Sequence, residues 1–171
     1  NALRERRLLC GSDRLSHPFI VEGIHSFKDS QRLFLALEYF PGGDLHGLLL
    51  ERRILQPREF RFIAASVVCM LEYLHGRRVI YRDLKPENLM LTPQGYLKLI
   101  DLGLCKELGD ADRSHTVCGT PIYMSPERFS TCDQGHGLPS DWWALGVMLF
   151  ELVFSATPHA MAGAAGDDEE L

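Results

Sequence analysis

The chain has 171 residues, 46% hydrophobic and 24% charged, which fits about one soluble globular domain with no apolar run long enough to span a membrane. Its net charge of −5 owes most to the four acids at Asp167–Glu170; the remainder is near neutral and lacks the basic face a nucleic-acid partner needs. The five cysteines (Cys10, Cys69, Cys105, Cys118, Cys132) form no C-x-x-C, and no H-x-x-x-H pair occurs, which argues against a disulfide framework or a zinc hydrolase. Reduced thiols in the cytoplasm are the expectation, and no apolar leader opens the chain.

In chain order, residues 3–9 (LRERRLL) read as the end of an amphipathic helix, with Leu3, Leu8 and Leu9 inward and the arginines wet. "HPFIVEGIHSF" and "RLFLALEYF" read as two strands joined through the polar "KDSQ", an antiparallel pair. "PGGDLHGLLL" breaks the second strand and starts a short helix with Asp44 as N-cap. The strongest periodicity lies at 57–75, where Phe60, Ile63, Ala64, Val67, Val68, Leu71 and Leu74 recur at spacings of three and four behind a first-turn proline. "LML" and "YLKLI", split by "TPQG", predict a small hairpin, and 101–127 an irregular stretch. Residues 140–154 (SDWWALGVMLFELVF) are apolar nearly all round and predict a fully buried helix. From 159 the small, acidic, aperiodic tail predicts disorder.

Chemistry concentrates in "YRDLKPENLM", residues 81–90. Asp83 can orient a hydroxyl and accept its proton. Lys85 can neutralise a phosphoryl group, and the Asn88 amide oxygen suits Mg²⁺. Asp101, after an apolar strand and before a turn glycine, offers a second metal-seeking oxygen. Taken singly, an Asp-Leu-Lys is an ordinary surface turn and an Asp-x-Gly an ordinary bend. Their order, followed by "GTPIYMSPE" and "DWWALGV", makes chance a poor explanation.

On these motifs the chain resembles eukaryotic serine/threonine protein kinases of the AGC type, cyclic-nucleotide-dependent or Akt/S6-kinase-like, over about residues 3–158. The resemblance implies an α+β, protein-kinase-like fold: part of the small β lobe and the first part of the helical large lobe. It implies transfer of the ATP γ-phosphoryl to a Ser/Thr hydroxyl of a protein substrate, with ATP and Mg²⁺ as cofactors and an upstream activating kinase. By the same resemblance Asp83 is the catalytic base, Lys85 meets the γ-phosphate, and Asn88 and Asp101 hold the metals. Glu38–Phe40 form the adenine hinge, with Leu37 as gatekeeper and Met90 on the pocket floor. Asp44 and Glu87 lie near the ribose and peptide, Glu5 is the helix glutamate facing the nucleotide, and Thr120 bonds to Asp83. Asp141 holds the catalytic loop; its plainer reading is a helix N-cap. Thr116 is the activating phosphosite, with Arg82 and Lys106 as partners.

Departures from the pattern shape a second reading. No G-x-G-x-x-G occurs, and none of Lys28, Lys85, Lys98 and Lys106 lies on a strand before the first helix, so both ends of the kinase domain are expected to be incomplete. Glu127, without the arginine the family sets beyond it, is expected to be loose or turned outward. Gly23 and Leu102 replace bulkier spine residues. The alternative to an enzyme is a kinase-like pseudoenzyme serving as a binding scaffold; retention of Asp83, Lys85, Asn88 and Asp101 favours the enzyme.

Overall fold

A computed structural model describes residues 2–11, 14–52, 54–109, 113–129 and 135–166. The chain begins with α1 (Ala2–Cys10), whose Leu8 and Leu9 are buried while the arginine side faces outward. An antiparallel pair follows, β1 (Gly23–Lys28) and β2 (Leu33–Leu37), closed by an Asp29 turn in which the carboxylate accepts the amides of Gln31 and Arg32 at 2.7 and 2.6 Å. The register runs from Lys28↔Leu33 to Gly23↔Leu37, with a shift between Gly23 and His25.

That irregularity sits at a close approach. A Cβ on Gly23 would lie 2.6 Å from Cys10 Sγ and 2.7 Å from the Leu9 carbonyl, so the end of α1 occupies the space a side chain would need. Leu102, the second substitution expected to weaken packing, is fully buried in the main core.

After the hinge come α2 (Leu45–Arg52), capped by Asp44 Oδ1 accepting from the Gly47 amide at 2.7 Å, and the long α3 (Pro57–Gly76). Helix α3 opens with a capping box between Gln56 and Glu59. Its buried face is Ile63, Ser66, Val67, Met70, Leu71 and Leu74. Ser66 was not legible as a core position because it is polar; its hydroxyl donates to the Phe62 carbonyl at 2.8 Å, which makes it tolerable there.

Three two-stranded ladders occur among the described residues. Besides β1–β2, β3 (Val79–Ile80) pairs with β6 (Lys106–Glu107), and β4 (Leu89–Leu91) pairs with β5 (Leu97–Leu99). Bridges Ile20↔Leu99 and Asp44↔Met90 attach the strand pair and the hinge to the β4–β5 hairpin.

Helix α4 (Pro139–Phe154) buries Ser140, Asp141, Ala144, Leu145, Val147, Met148 and Leu152 against α3 and the turn at Pro121–Tyr123. Full burial was expected and is not found: Trp142, Trp143, Val153 and Phe154 are exposed, because packing partners cover only one face. The expectation of disorder from 159 also needs correction. Residues Pro158–Gly166 form helix α5, begun by Thr157, whose hydroxyl accepts from the Ala160 amide at 3.4 Å; a run of alanines supplies helix propensity without a sequence period. The rest of that tail, like Cys132, lies outside the described residues.

Replacing Gly23 by Ala forces α1 and β1 apart. Chemical unfolding of Gly23→Ala is expected to show a loss of about 1–3 kcal/mol, the usual cost of overpacking.

Candidate active site

The loop between β3 and β4 is shaped from below by one carboxylate. Asp141, 1% exposed near the start of α4, accepts the Tyr81 amide at 2.8 Å and the Arg82 amide at 2.9 Å. His75, from the last turn of α3, approaches its Oδ2 at 2.8 Å through Nε2. The simple helix cap is not what this side chain does: its two oxygens face backward onto the loop. Held there, Arg82 takes a left-handed backbone with φ 76°, a conformation a non-glycine residue keeps only under constraint.

That bend turns the next side chain into the site. Asp83, 8% exposed, receives the Thr120 amide at 3.0 Å and the Thr120 hydroxyl at 2.8 Å, both on Oδ1. Its Oδ2 faces Lys85 Nζ at 3.2 Å and the Asn88 amide nitrogen at 3.1 Å. Lys85 Nζ also donates to Thr120 Oγ1 at 2.8 Å, closing a ring of Asp83, Lys85 and Thr120. Asn88 donates back to the Asp83 carbonyl at 2.8 Å, so its amide oxygen is turned the other way.

Asp101 joins through the hairpin. Ile100 donates its amide to the Asn88 carbonyl at 3.0 Å, which sets Asp101 one residue beyond Asn88's partner. Asp101 is exposed, its φ is 56°, and its Oδ1 accepts the Gly103 amide at 3.2 Å. Beneath lies Tyr81, wholly buried, its hydroxyl donating to the Ile100 carbonyl at 2.7 Å. Burial first, then the charges of Cys105, Asp101 and Asp83, push its phenol well above the ordinary range.

Glu5 reaches the same area from α1. Burial and then the neighbouring Asp101 charge raise its pKa, and among the described residues no lysine or arginine pairs with it. Two carboxylates opposed in this way favour a cation between them. No cluster of three His, Cys, Asp or Glu groups among the described residues forms a complete metal cage. Mg²⁺ does not require one: a carboxylate and an amide oxygen, completed by phosphates and water, match its habits, so the donor set fits.

Residues 38–40, where the resemblance expects the adenine hinge, are held by a polar clamp that sequence reasoning missed. Lys98 on β5 pairs with Glu38 Oε1 at 3.0 Å, and the same oxygen accepts the Glu22 amide at 2.6 Å. Leu37 closes the register opposite Gly23, Phe40 is buried, and Met90 lies beside Asp44. The Asp44 carboxylate is committed to capping α2, and Glu87 is exposed within the loop, in its turn at Pro86–Asn88. A cavity of about 540 Å³ lies between α2, α3 and the β4–β5 hairpin, and none of its lining residues belongs to the catalytic set.

In the segment 113–128 the cations expected to partner a phosphate on Thr116 meet a different residue when Thr116 carries none. Arg82 Nη1 and Lys106 Nζ do not reach Thr116, which is exposed; they reach Ser114 Oγ at 3.0 and 3.4 Å. Ser114 takes that place because its backbone pairs with His136 in both directions, at 2.7 and 2.8 Å, which turns its side chain inward. Arg128, also missed, is 3% exposed and donates to the Arg82 carbonyl at 3.0 Å and to the Cys118 carbonyl. Its neighbour Glu127 is exposed but not loose: its carboxylate accepts from the buried Ser140 Oγ at 2.9 Å. Gly119 has φ 99° and its missing Cβ would strike the Arg82 carbonyl, so only glycine lets "CGTP" lie against the loop. Cys105 is fully buried and its thiol pushed well up by burial, which disfavours the thiolate a regulatory disulfide would need.

The model of the protein kinase domain family matches residues 1–169, and the chain belongs to that family. It is 44% identical over 154 residues to a "cAMP-dependent protein kinase, catalytic subunit-like" of Caenorhabditis briggsae, covering 90% of this chain and 38% of the relative. It is 41% identical over 144 residues to the human "cAMP-dependent protein kinase catalytic subunit PRKX", covering 84% of this chain and 39% of the relative. To "cAMP-dependent protein kinase type 3" of Saccharomyces cerevisiae it is 41% identical over 154 residues, covering 90% and 37%. The chain thus spans roughly two fifths of the length of these relatives, and its motifs place it on the AGC side of the family. Protein kinases in general use ATP with Mg²⁺.

Asp141→Ala leaves two buried amides and His75 without their acceptor. The expected loss is about 3 kcal/mol or more in urea unfolding, with Trp142, packed edge-on against His75, as the fluorescent reporter.

His136, buried beside Arg128 and Arg82, has its pKa lowered to about 4, by burial first and then by those cations. The unfolded chain takes up this proton below its ordinary pKa of about 6.5 and the folded chain does not. Stability is therefore expected to fall as pH drops from about 6.5 toward 4. His136→Gln should flatten that limb of a melting-temperature profile; an unchanged slope would remove His136 from it.

Proposed function

We propose that this chain carries the catalytic loop and metal-binding turn of a serine/threonine protein kinase that transfers the γ-phosphoryl of ATP to a protein hydroxyl. The observation that carries the reading is the ring at Asp83: a buried carboxylate oriented by Thr120, Lys85 and Asn88 at hydrogen-bond distance. A structural turn has no need of a buried carboxylate held by Thr120, Lys85 and Asn88, with the hairpin joining Asn88 to the residue before Asp101.

The residues divide the work as follows. Asp83 aligns the substrate hydroxyl and takes its proton as the new bond forms. Lys85, tied to both Asp83 and Thr120, places one positive charge where negative charge develops. Thr120 ties the substrate-binding segment to the base. Asn88 and Asp101 would hold Mg²⁺, and Glu5 faces them from α1. Bound Mg·ATP supplies the transferable phosphoryl group and neutralisation of its charge. The hinge at Glu38–Phe40, with Leu37 and Met90, would receive the adenine, while Asp44 and Glu87 lie toward the ribose and peptide sides. Thr116, exposed, is the proposed acceptor of an activating phosphate from an upstream kinase. The described cysteines are all free, which supports a cytoplasmic setting, and no helix among the described residues is long and apolar enough to cross a membrane.

In the full-length protein, Asp83→Asn is expected to lower kcat for phosphate transfer from labelled ATP to a serine peptide by about 10²–10⁴-fold. The folded state should persist by circular dichroism. A wild-type rate in this variant would refute the assignment, and no transfer by the wild-type protein would favour the scaffold.

A further inference from the structure

Three cations crowd one place beside the catalytic loop, and one neutral hydroxyl joins two of them. Ser114 is fully buried between exposed neighbours Arg113 and His115. Its hydroxyl oxygen accepts from Arg82 Nη1 at 3.0 Å and from Lys106 Nζ at 3.4 Å, which uses both of its lone pairs. Its backbone is fixed independently by the two-way pairing with His136. The third cation, Arg128, holds the Arg82 carbonyl and His136 pairs with the Ser114 backbone; each has a buried side-chain nitrogen with no hydrogen-bond partner among the described residues.

Arg82 is the residue before the catalytic carboxylate, and each part of it is tied. Asp141 holds its amide, Arg128 its carbonyl, the Leu104 carbonyl its Nε at 2.7 Å, and Ser114 its Nη1. Of these ties, the one at Nη1 comes from a side chain of the segment 113–118. We infer that Ser114 is a positioning residue for phosphoryl transfer. Its hydroxyl locks the activation segment to Arg82, and so to Asp83, without needing a phosphate on Thr116. The inference rests on the kinase reading above and extends it to a residue that reading leaves without a role.

The reasoning is electrostatic and geometric. Arg82 is 4% exposed, so its guanidinium cannot exchange Ser114 for water without opening the segment. Thr116, two residues on, is exposed and cannot provide the same dry contact. Its phosphate would add to a lock that Ser114 already provides.

The test uses the full-length protein after phosphatase treatment, with hydrogen exchange and steady-state kinetics read in parallel. In Ser114→Ala the amides of residues 114 and 136 are expected to exchange about tenfold faster or more. kcat should fall about tenfold while the KM for ATP stays within about twofold, because a small misplacement of Asp83 slows chemistry without touching the hinge. Thr116→Ala should exchange as the wild type does. Lys106→Met, which removes one donor to the same hydroxyl, should give part of the loss, and the double variant no more loss than Ser114→Ala alone. Wild-type exchange and kcat in Ser114→Ala would overturn the inference, as would equal loss of protection in Thr116→Ala or full additivity in the double variant. If the wild-type protein transfers no phosphate, the kinase reading falls, while exchange alone still decides whether Ser114 locks the segment.

Discussion

The site depends on one buried carboxylate gripping two consecutive backbone amides. A backbone bend such as that at Arg82 is intrinsically unfavourable for a residue with a side chain, and it persists only where the surroundings over-determine it. Asp141 supplies that constraint from the first turn of α4, a helix 60 residues away in sequence. Because Asp83 follows Arg82 directly, the angle of its side chain is set by the position of α4 against α3. Stability and site geometry are therefore coupled: whatever shifts the helix pair re-aims Asp83.

Above that grip the site is organised by unequal charge. On one side Asp83, Asp101 and Glu5 gather negative charge that only a cation can balance, and Lys85 offsets part of it. On the other side Arg82, Arg128 and Lys106 gather positive charge with a neutral imidazole among them. The two fields meet at Arg82 and Asp83, adjacent residues whose side chains point in opposite directions across the loop. An anion near Arg82, Arg128 and Lys106 and a cation near Asp101 and Glu5 would each offset the charge gathered there.

Close backbone approaches decide where these fields can sit. Gly119 lets the "CGTP" turn rest on the Arg82 carbonyl, and Gly23 lets α1 press on β1 so that Glu5 comes within reach of Asp101. Neither is a vacancy in a hydrophobic spine. Each is a place where a backbone or a neighbouring side chain fills the volume that a larger residue would claim.

Much of this was written in the sequence, for reasons that are local. Helix α3 follows from apolar spacing of three and four behind a proline, the β4–β5 hairpin from two short apolar runs about a turn, and the set Asp83, Lys85, Asn88 and Asp101 from residue type and spacing alone. Family resemblance added Thr120 and Asp141. Tertiary structure alone decided that Arg82 and Lys106 meet Ser114 rather than Thr116, that Arg128 is buried and Glu127 is held by Ser140, and that Lys98 clamps Glu38. It also decided that α4 exposes a tryptophan face and that the tail continues as α5. The division has a physical cause. Periodicity and turn chemistry are properties of neighbours along the chain, whereas the partner of a buried charge is chosen among side chains that only folding brings together.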